Sequence, residues 1–329
     1  MDIDETPFHH LHGLPIDQIN ALIDTDLTIR VGVPHKGGHL AIHAFENDYQ
    51  TMVSANAFWN QNSQEFKWPE HSPLYETNFA LDSGGYTALK LFQSKGKQSG
   101  IAGIFPWTLA QYVEFASLQS PSWWSQPDLC CEPEIATNQD EVDFRVNATA
   151  TLLEATLRVV FQWQCQLANQ GWSPRMIVNQ INPPVPVIQG WGADDYLRSL
   201  NLLKQVWSRW EPWFAPPKLI GLGSVCRRDL HDPQHGLYAI LSAIEPHLPE
   251  GSRLHLFGVK GAALSKISAL DSIASTDSMA YDFGARVKAH RQGFSNTLLH
   301  RATEMTRWME AAQQKLHDAN GDQLRFRFG

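Results

Sequence analysis

Three aspartates and one glutamine stand where short apolar runs of the sequence end. Asp82 closes the run that begins at residue 79, Asp128 and Gln189 accompany two later runs, and Asp277 ends another. One carboxylate can attack an electrophilic carbon while a second one moves a proton. Because an anomeric carbon passes through an oxocarbenium-like state that a carboxylate can trap, the set predicts glycosyl transfer or hydrolysis.

The remaining polar groups suit a planar heterocycle. A carboxylate accepts from an N–H/NH₂ edge such as that of guanine, and the amide of Gln189 can bond a carbonyl oxygen. Each residue also has a structural interpretation: Asp82 precedes a Gly-Gly pair and is typical of an Asx-turn or helix cap, and Asp277 could cap a helix. Asp271 and Asp282 flank Asp277 and would replace it if the strand register differed.

Short apolar runs separated by turns predict eight strands, at 27–34, 49–58, 79–85, 127–135, 185–191, 218–225, 253–261 and 272–278. A ninth run, 175–181, predicts an edge strand. Helical patterns lie between them, at 106–118, 144–170, 193–210, 235–246, 261–269, 282–291 and 293–318. Strands that alternate with helices predict parallel pairing.

This alternation predicts an α/β fold, a closed (β/α)₈ TIM barrel, in a single domain that spans residues 1–329. We expect a lead-in at 1–26 and a C-terminal helical extension at 292–329. A doubly wound dinucleotide fold is disfavoured because no G-x-G-x-x-G follows the first strand. In such barrels the chemistry lies at the carboxyl ends of the strands, where the four polar residues fall.

The composition is that of an ordinary globular chain, with 43% hydrophobic and 18% charged residues. The sequence shows no apolar stretch of about eighteen residues and no apolar leader, so we expect no membrane span and no secretory signal. The four cysteines lack the spacing of a disulfide framework, which indicates a cytoplasmic protein. The net charge of −8 disfavours a non-specific nucleic-acid binder, but the last quarter of the chain is basic.

In their order along the chain, the motifs resemble those of the tRNA-guanine transglycosylase superfamily, barrel enzymes that exchange guanine in a nucleic acid for a 7-deazaguanine base. The family's D-S-G-G-F-Q is similar to "DSGGYT" at 82–87, and its D-E-C is similar to Asp128 with Cys130 and Cys131. Its V-Q-G-G, G-G-L-A-V-G and M-G-V-G resemble "VIQGW", "GLGSV" and "LFGVKG", and its nucleophilic aspartate resembles Asp277 in "STDS".

The resemblance implies that Asp277 attacks C1′ of a target guanosine and that Asp82 moves the proton. It also implies that a set of residues binds the base: Ser83, Gly84, Tyr86, Asp128, Gln189, Gly190 and Gly223.

The sequence departs from the tRNA enzymes in two features, and in these it resembles the DpdA branch, whose members insert 7-cyano-7-deazaguanine or related bases into DNA. The tRNA enzymes bind zinc through C-x-C-x-x-C and a later histidine, but no cysteine follows Cys226, so we expect no cofactor. Their P-T-R-N-G is replaced by "YDFGARVKAHRQG". We therefore expect DNA and a 7-deazaguanine base as partners, with accessory proteins of a modification cluster. Exchange in tRNA, of the queuosine or archaeosine type, is the alternative.

Five cations are predicted to contact phosphate, while a solvated surface is the alternative for each: Arg227, Arg228, Arg286, Lys288 and Arg291. Because guanine in a duplex cannot be attacked in place, its nucleotide must be flipped out or single-stranded.

A metal-dependent hydrolase on the same barrel is a second alternative. His9, His10 and His12 precede the first strand, and His35 and His39 follow it; paired histidines suit Zn²⁺. No second histidine pair follows the fifth or sixth strand. A non-catalytic, nucleic-acid-binding relative that keeps the barrel as a scaffold is a third interpretation, but it predicts loss of a carboxylate, and both Asp82 and Asp277 are present.

Overall fold

The computed structural model describes residues 27–34, 39–67, 72–226 and 228–327, with side chains described as far as residue 318. The predicted lead-in at 1–26 lies outside these residues. The strands are β1 (Thr28–Gly32), β2 (Thr51–Ser54), β3 (Trp59–Asn60), β4 (Glu65–Phe66), β5 (Phe79–Asp82), β6 (Trp123–Trp124), β7 (Val187–Ile188), β8 (Leu219–Leu222), β9 (Arg253–Leu256) and β10 (Ile273–Ser278).

Helices follow most of these strands. They are α1 (His39–Glu46), α2 (Gly85–Lys95), α3 (Leu109–Gln119), α4 (Gln139–Asn169), α5 (Pro174–Gln180), α6 (Ala193–Trp210), α7 (Leu237–Ile244), α8 (Leu264–Ile267), α9 (Ala280–Gln292) and α10 (Leu298–Arg327). None of the helices in the described ranges is both long enough and apolar enough to cross a bilayer.

Eight strands form one curled sheet in which every neighbouring pair is parallel, in the order β6-β5-β2-β1-β10-β9-β8-β7. The two remaining strands, β3 and β4, make a small antiparallel hairpin. The last strand lies beside the first, and the others follow in chain order, as in a TIM barrel. The α/β class with parallel pairing is therefore confirmed, whereas the regular ladder stays open between β6 and β7.

A single bridge joins the two open edges of the sheet. Ser125 and Val185 form an isolated parallel bridge, in which Val185 N–H donates to the carbonyl oxygen of Trp124 at 2.8 Å. At the next position a side chain replaces the backbone, because Oε1 of Gln126 accepts the N–H of Val187 at 3.0 Å. The structure is thus a curled half-barrel compatible with a TIM-barrel-like fold, not the continuous closed ladder that was predicted.

Two predicted strands are wrong. The run 127–135 is a loop after β6, because Pro127 has no N–H for a ladder and the polar residues beyond it turn toward a cavity. The run 175–181 is mostly helix α5: Ser173 caps its N-terminus through the N–H of Met176 and Pro174 occupies its first position. These start signals outweigh the apolar run. Helices α1 and α2 were not predicted.

The buried hydrophobic residues of the described chain form three clusters. The largest one lies between the sheet and its surrounding helices, and the smallest joins Cys131 and Ala136 to Val142 and Val146. A small cluster fills the inside of the curled sheet and consists of Met52, Ala80, Trp123, Val185, Leu219 and Ala274, with Phe257 packed against it. Because this filling closes the sheet interior from below, the polar residues at the strand ends lie on a packed floor.

Candidate active site

A cavity of about 600 Å³ opens at the carboxyl ends of the strands. Six predicted residues line it: Tyr86 on its wall, together with Asp82, Asp128, Gln189, Gly223 and Asp277. The last five come from the ends of β5, β7 and β8, the loop after β6, and β10 itself. Convergence of residues so far apart in the sequence follows from the parallel sheet, whose strand ends meet on one side.

Asp277 is held through one of its two oxygens. The N–H of Gly258 donates to Oδ1 at 2.8 Å, and Nε2 of His255 lies 3.4 Å from the same atom. Among the described residues, none forms a hydrogen bond to Oδ2 of Asp277. Because Asp277 lines the cavity, this second oxygen is the candidate to meet an electrophile there.

His255 lies beneath Asp277 and is completely buried on β9. Its Nδ1 is 2.8 Å from Oγ of Ser275, while its Nε2 has no hydrogen-bond partner in the described parts other than the nearby Asp277 carboxylate. Burial lowers the pKa of His255 below its usual value, against the attraction of Asp277. A neutral ring whose Nε2 carries the proton can donate to the carboxylate and orient it.

Arg30 supplies a buried positive charge next to this pair. It faces Asp277 in the register of β1 and β10 and is fully buried. Its Nη1 donates to the carbonyl oxygens of Thr51 at 3.1 Å and Asn78 at 2.9 Å. Burial lowers the pKa of Arg30 to about 9, against the attraction of Asp277, so the guanidinium stays charged at neutral pH.

Asp82 has the opposite electrostatic setting. Burial, and after it the carboxylates of Asp128 and Asp277, raise its pKa to about 7, although the N–H of Gly84 opposes them by donating to Oδ2 at 3.1 Å. A carboxyl with a pKa near 7 can hold a proton and release it at neutral pH. The two predicted catalytic carboxylates therefore differ in environment in the way that acid–base and nucleophilic roles require.

Asp128 accepts from three side chains and faces the cavity. Oγ of Ser83 donates to its Oδ1 at 2.9 Å, Nε2 of Gln189 donates to its Oδ2, and Sγ of Cys130 is a weak donor 3.9 Å from the same Oδ2. Burial raises the pKa of Asp128, while these three donors oppose the rise. Oδ1 retains a lone pair, Oδ2 is shared with the weak Cys130 donor, and Gln189 retains a second N–H, so the pair presents acceptors and a donor side by side.

Ser224 determines which way the Gln189 amide points. Its Oγ lies 2.6 Å from Oε1 of Gln189 and 3.1 Å from Oε2 of Glu132, and it accepts the N–H of Cys131 at 2.7 Å. One hydroxyl proton can serve only one of the two acceptors. Glu132 is buried and its pKa is raised, first by burial. A protonated Glu132 would donate to Ser224, which in turn would donate to Gln189.

At two positions of the site a glycine is required because a larger residue would collide with a neighbouring side chain, which sequence patterns do not reveal. Gly84 adopts a left-handed conformation (φ 78°), and a Cβ there would lie 1.9 Å from Nδ2 of Asn56. A Cβ on Gly223 would lie 2.1 Å from Nε2 of Gln189. The first glycine lets the chain turn from β5 into α2, and the second leaves room for the amide.

Not every predicted base-binding residue reaches the cavity. Tyr86 lies on its wall and is partly buried. Ser83 is buried and points at Asp128, whereas Gly84 and Gly190 lie behind the lining. These three therefore support the site rather than face it.

Arg228 is buried and used by the protein itself. Its Nε donates to the carbonyl oxygen of Ser224 at 2.7 Å, and its Nη2 donates to that of Gly190 at 2.9 Å. The guanidinium also stacks 4.0 Å from the ring centre of Trp191 and is only 5% exposed. It joins the loops after β7 and β8 and is not presented to solvent as the predicted phosphate contact would require. Arg227 lies outside the described residues.

The other predicted phosphate contacts lie on α9. Arg286 is exposed and forms an ion pair with Asp282, and Lys288 pairs with Glu304. Arg291 is exposed near the end of the helix. Asp282 is buried in these ion pairs and Asp271 is exposed before β10, so among the three candidates for the nucleophile only Asp277 lines the cavity.

Four residues of the site were missed from the sequence: Arg30, Glu132, Ser224 and His255. Two carried a visible signal, since a charged or imidazole side chain in the middle of a buried apolar strand needs a partner. Glu132 and Ser224 carried none, because their contact joins residues more than ninety positions apart.

No metal site is apparent where the structure can be described. Among those residues no group of three or more His, Cys, Asp or Glu side chains is arranged to hold an ion. His39 is the exposed first residue of α1, and His9, His10, His12 and His35 lie outside the described residues. The zinc ligands of the tRNA enzymes do not fit this chain, which has no cysteine after Cys226.

Comparison with known proteins identifies a family. No curated protein matches the chain significantly. The model of the family described as "DpdA: DeoxyPurine in DNA protein A" matches residues 69–323, a range that includes Asp82, Asp128, Gln189 and Asp277. This is a transglycosylase family whose substrate is DNA. The chain therefore belongs to the DpdA family, a branch of the tRNA-guanine transglycosylase superfamily.

Proposed function

We propose that this protein exchanges guanine in DNA for a 7-deazaguanine base, such as 7-cyano-7-deazaguanine, through a covalent aspartyl–glycosyl intermediate. The observation that carries the proposal is the meeting of Asp277, Asp82 and the Asp128–Gln189 pair in one cavity.

In the first half-reaction, Oδ2 of Asp277 attacks C1′ of the target deoxyguanosine. The C1′–N9 bond breaks, its electron pair passes to the guanine, and Asp82 in its protonated form supplies the proton that neutralises the leaving base. Gly258 and His255 hold Oδ1, so the carboxylate does not rotate as the new bond forms. Arg30 places a buried positive charge beside the nucleophile.

In the second half-reaction a 7-deazaguanine base occupies the place of guanine. Ionised Asp82 takes the proton from N9, N9 attacks C1′, and the C1′–Oδ2 bond breaks to restore Asp277. A pKa of about 7 suits Asp82 to both transfers. Asp128 accepts from the N1–H and N2–H edge of either base, and Gln189 donates to O6.

DNA rather than tRNA is the substrate we infer, because the chain belongs to a family that acts on DNA. The target nucleotide must leave the stack to reach the cavity. A cytoplasmic location and accessory proteins that open the duplex or deliver the base remain predictions. A metal-dependent hydrolase has no support from the described residues.

The test is incubation of the protein with a radiolabelled 7-deazaguanine base and either DNA or tRNA. We expect label in DNA, and a covalent protein–DNA adduct after denaturation when the second base is withheld. Asp277→Ala should abolish both, and Asp271→Ala, an exposed aspartate just before β10, serves as the matched control. Label in tRNA alone would overturn the choice of DNA. An adduct that persists in Asp277→Ala would overturn the nucleophile.

A further inference from the structure

The outer face of α9 carries a line of exposed side chains that begins at the mouth of the cavity. Met279, the residue that caps α9, lines the cavity and is 40% exposed. Phe283 is 65% exposed and the side chain of Arg286 is 60% exposed. Because these residues are spaced by four and three positions, they lie on one side of the helix. We name Met279, Phe283 and Arg286 the rim ridge.

The opposite face of α9 anchors the rim ridge. Tyr281, Asp282, Ala285 and Ala289 are buried. The hydroxyl of Tyr281 donates to the carbonyl oxygen of Gly32, at the end of β1, at 2.8 Å. The position of Phe283 relative to the nucleophile on β10 is therefore set by the packed sheet, and an exposed phenylalanine held in place is available to a partner.

The charges around the ridge leave an excess of cations. Asp282 is shared by Arg286 at 3.2 Å and Arg301 at 2.6 Å. Glu304 is shared in the same way by Lys288 at 2.7 Å and Arg307 at 2.5 Å. Each carboxylate thus balances only one of its two cations.

Arg291 adds a further positive charge, since no ion pair holds it within the described ranges. On a chain whose net charge is −8, this α9–α10 face is positive and complementary to a phosphate backbone.

We propose that the rim ridge contacts DNA beside the extruded guanosine, with Phe283 against a neighbouring base and Arg286 on a phosphate. The inference rests on the proposed function, because it assumes that a nucleotide enters the cavity from DNA. Extrusion leaves a gap in the stack, and proteins commonly place an apolar side chain at such a step. An aromatic ring can stack on any base, so this contact needs no sequence preference.

The dimensions of the ridge fit this arrangement. Met279 and Arg286 are seven positions apart, which corresponds to about 10 Å along a helix. A DNA strand advances about 3.4 Å per nucleotide, so the ridge spans roughly three nucleotides. Met279 then lies at the extruded nucleotide, Phe283 beside its neighbour, and Arg286 at a phosphate further along.

The experiment measures DNA affinity by fluorescence anisotropy, with a short labelled duplex that contains one mismatched guanosine, because a mismatched base is the easiest to extrude. Phe283→Ala should weaken binding about 5- to 100-fold, the range found when one base loses its aromatic partner. Arg286→Gln should reduce the slope of log affinity against log salt by about one phosphate contact. Phe92→Ala, in an exposed phenylalanine near the far end of α2, is the matched control and should bind as the unmodified protein does.

Two additional measurements distinguish DNA contact by the ridge from a role in base binding or in self-association. Binding of free guanine, measured by calorimetry, should be unchanged in Phe283→Ala, because the ridge lies outside the base-binding pair. Unchanged DNA affinity in Phe283→Ala would overturn the proposal. A changed sedimentation mass with unchanged DNA affinity would also overturn it and would assign the face to contact between copies of the chain. Because the readout is binding, absence of base exchange in the unmodified protein would count against the proposed function alone.

Discussion

Replacing Asp82 with asparagine is expected to make the protein more stable above neutral pH while removing its ability to move the proton. Burial, together with the carboxylates of Asp128 and Asp277, raises the pKa of Asp82 from 3.8 to about 7. Between about pH 4 and about pH 7, the unfolded chain releases a proton from this carboxyl that the folded protein keeps. The unmodified protein therefore loses stability as the pH rises from about 4 to about 7.

The size of this loss follows from the pKa shift. About three pKa units, at about 1.4 kcal/mol each, set an upper limit of roughly 4 kcal/mol at pH values above both pKa values. Asparagine has no charge to bury, and its side-chain oxygen can still accept the N–H of Gly84. The variant should therefore exceed the unmodified protein in free energy of unfolding by up to this amount near pH 8, with little difference near pH 4.

Urea unfolding at the two pH values measures the effect, and base exchange at each pH measures the expected loss of activity. Asp271→Asn makes the same charge change at an exposed position and should shift neither quantity appreciably. If Asp82→Asn changes the free energy of unfolding equally at both pH values, the assignment of a buried carboxyl that holds its proton is refuted. Near-normal exchange in the variant would refute its role in proton transfer.

Three more predictions address side chains around the reacting groups. His255→Leu should slow formation of the covalent adduct in a single turnover about 10- to 100-fold, the value of a hydrogen bond to a charged group. His255→Gln keeps an N–H donor and should recover part of the rate. Equal rates in the two variants would contradict the orienting role. Glu132→Gln should bind guanine like the unmodified protein, since its amide can still donate to Ser224. Glu132→Ala should weaken guanine binding, measured by calorimetry, by about tenfold. Equal weakening in both variants would show that guanine affinity does not depend on a donor to Ser224. Arg228→Met should lower the free energy of unfolding by about 2–4 kcal/mol, because buried carbonyl oxygens lose their donor. The salt dependence of DNA binding should not change in this variant. A reduced slope of log affinity against log salt would instead support Arg228 as a phosphate contact.

Much of the fold could be predicted from the sequence because strands buried on both faces form almost continuous apolar runs. The runs around β1, β5, β8 and β10 are of this kind, and each of these four strands lies within a predicted run, whereas β3, β4 and β6 were not predicted. The strand prediction failed where a side chain, rather than the backbone, forms the hydrogen bond to the neighbouring strand. At β6 the ladder shortens to two residues because Gln126 bonds to Val187 through its amide, which no apolar pattern reveals.

Helix signals were misread where they were local and short. Ser173 and Pro174 start α5, yet the apolar residues that follow also fit a strand. Helix α2 begins at Gly85, directly after the left-handed Gly84, so its start has no side-chain cap to reveal it. A turn that depends on the fit of a glycine against Asn56 is a tertiary property.

The sequence by itself determined the alternation of strands and helices and the positions of the four polar residues, because a residue at the end of a buried strand is marked by its neighbours in the chain. Only the tertiary structure decided the surroundings of each of them. Oδ1 of Asp277 is held by Gly258 and faced by His255, both on or just after a neighbouring strand, and the pKa of Asp82 depends on burial and on two distant carboxylates. Distances across a sheet and exclusion of water set charge and orientation, and neither quantity is written in the order of residues.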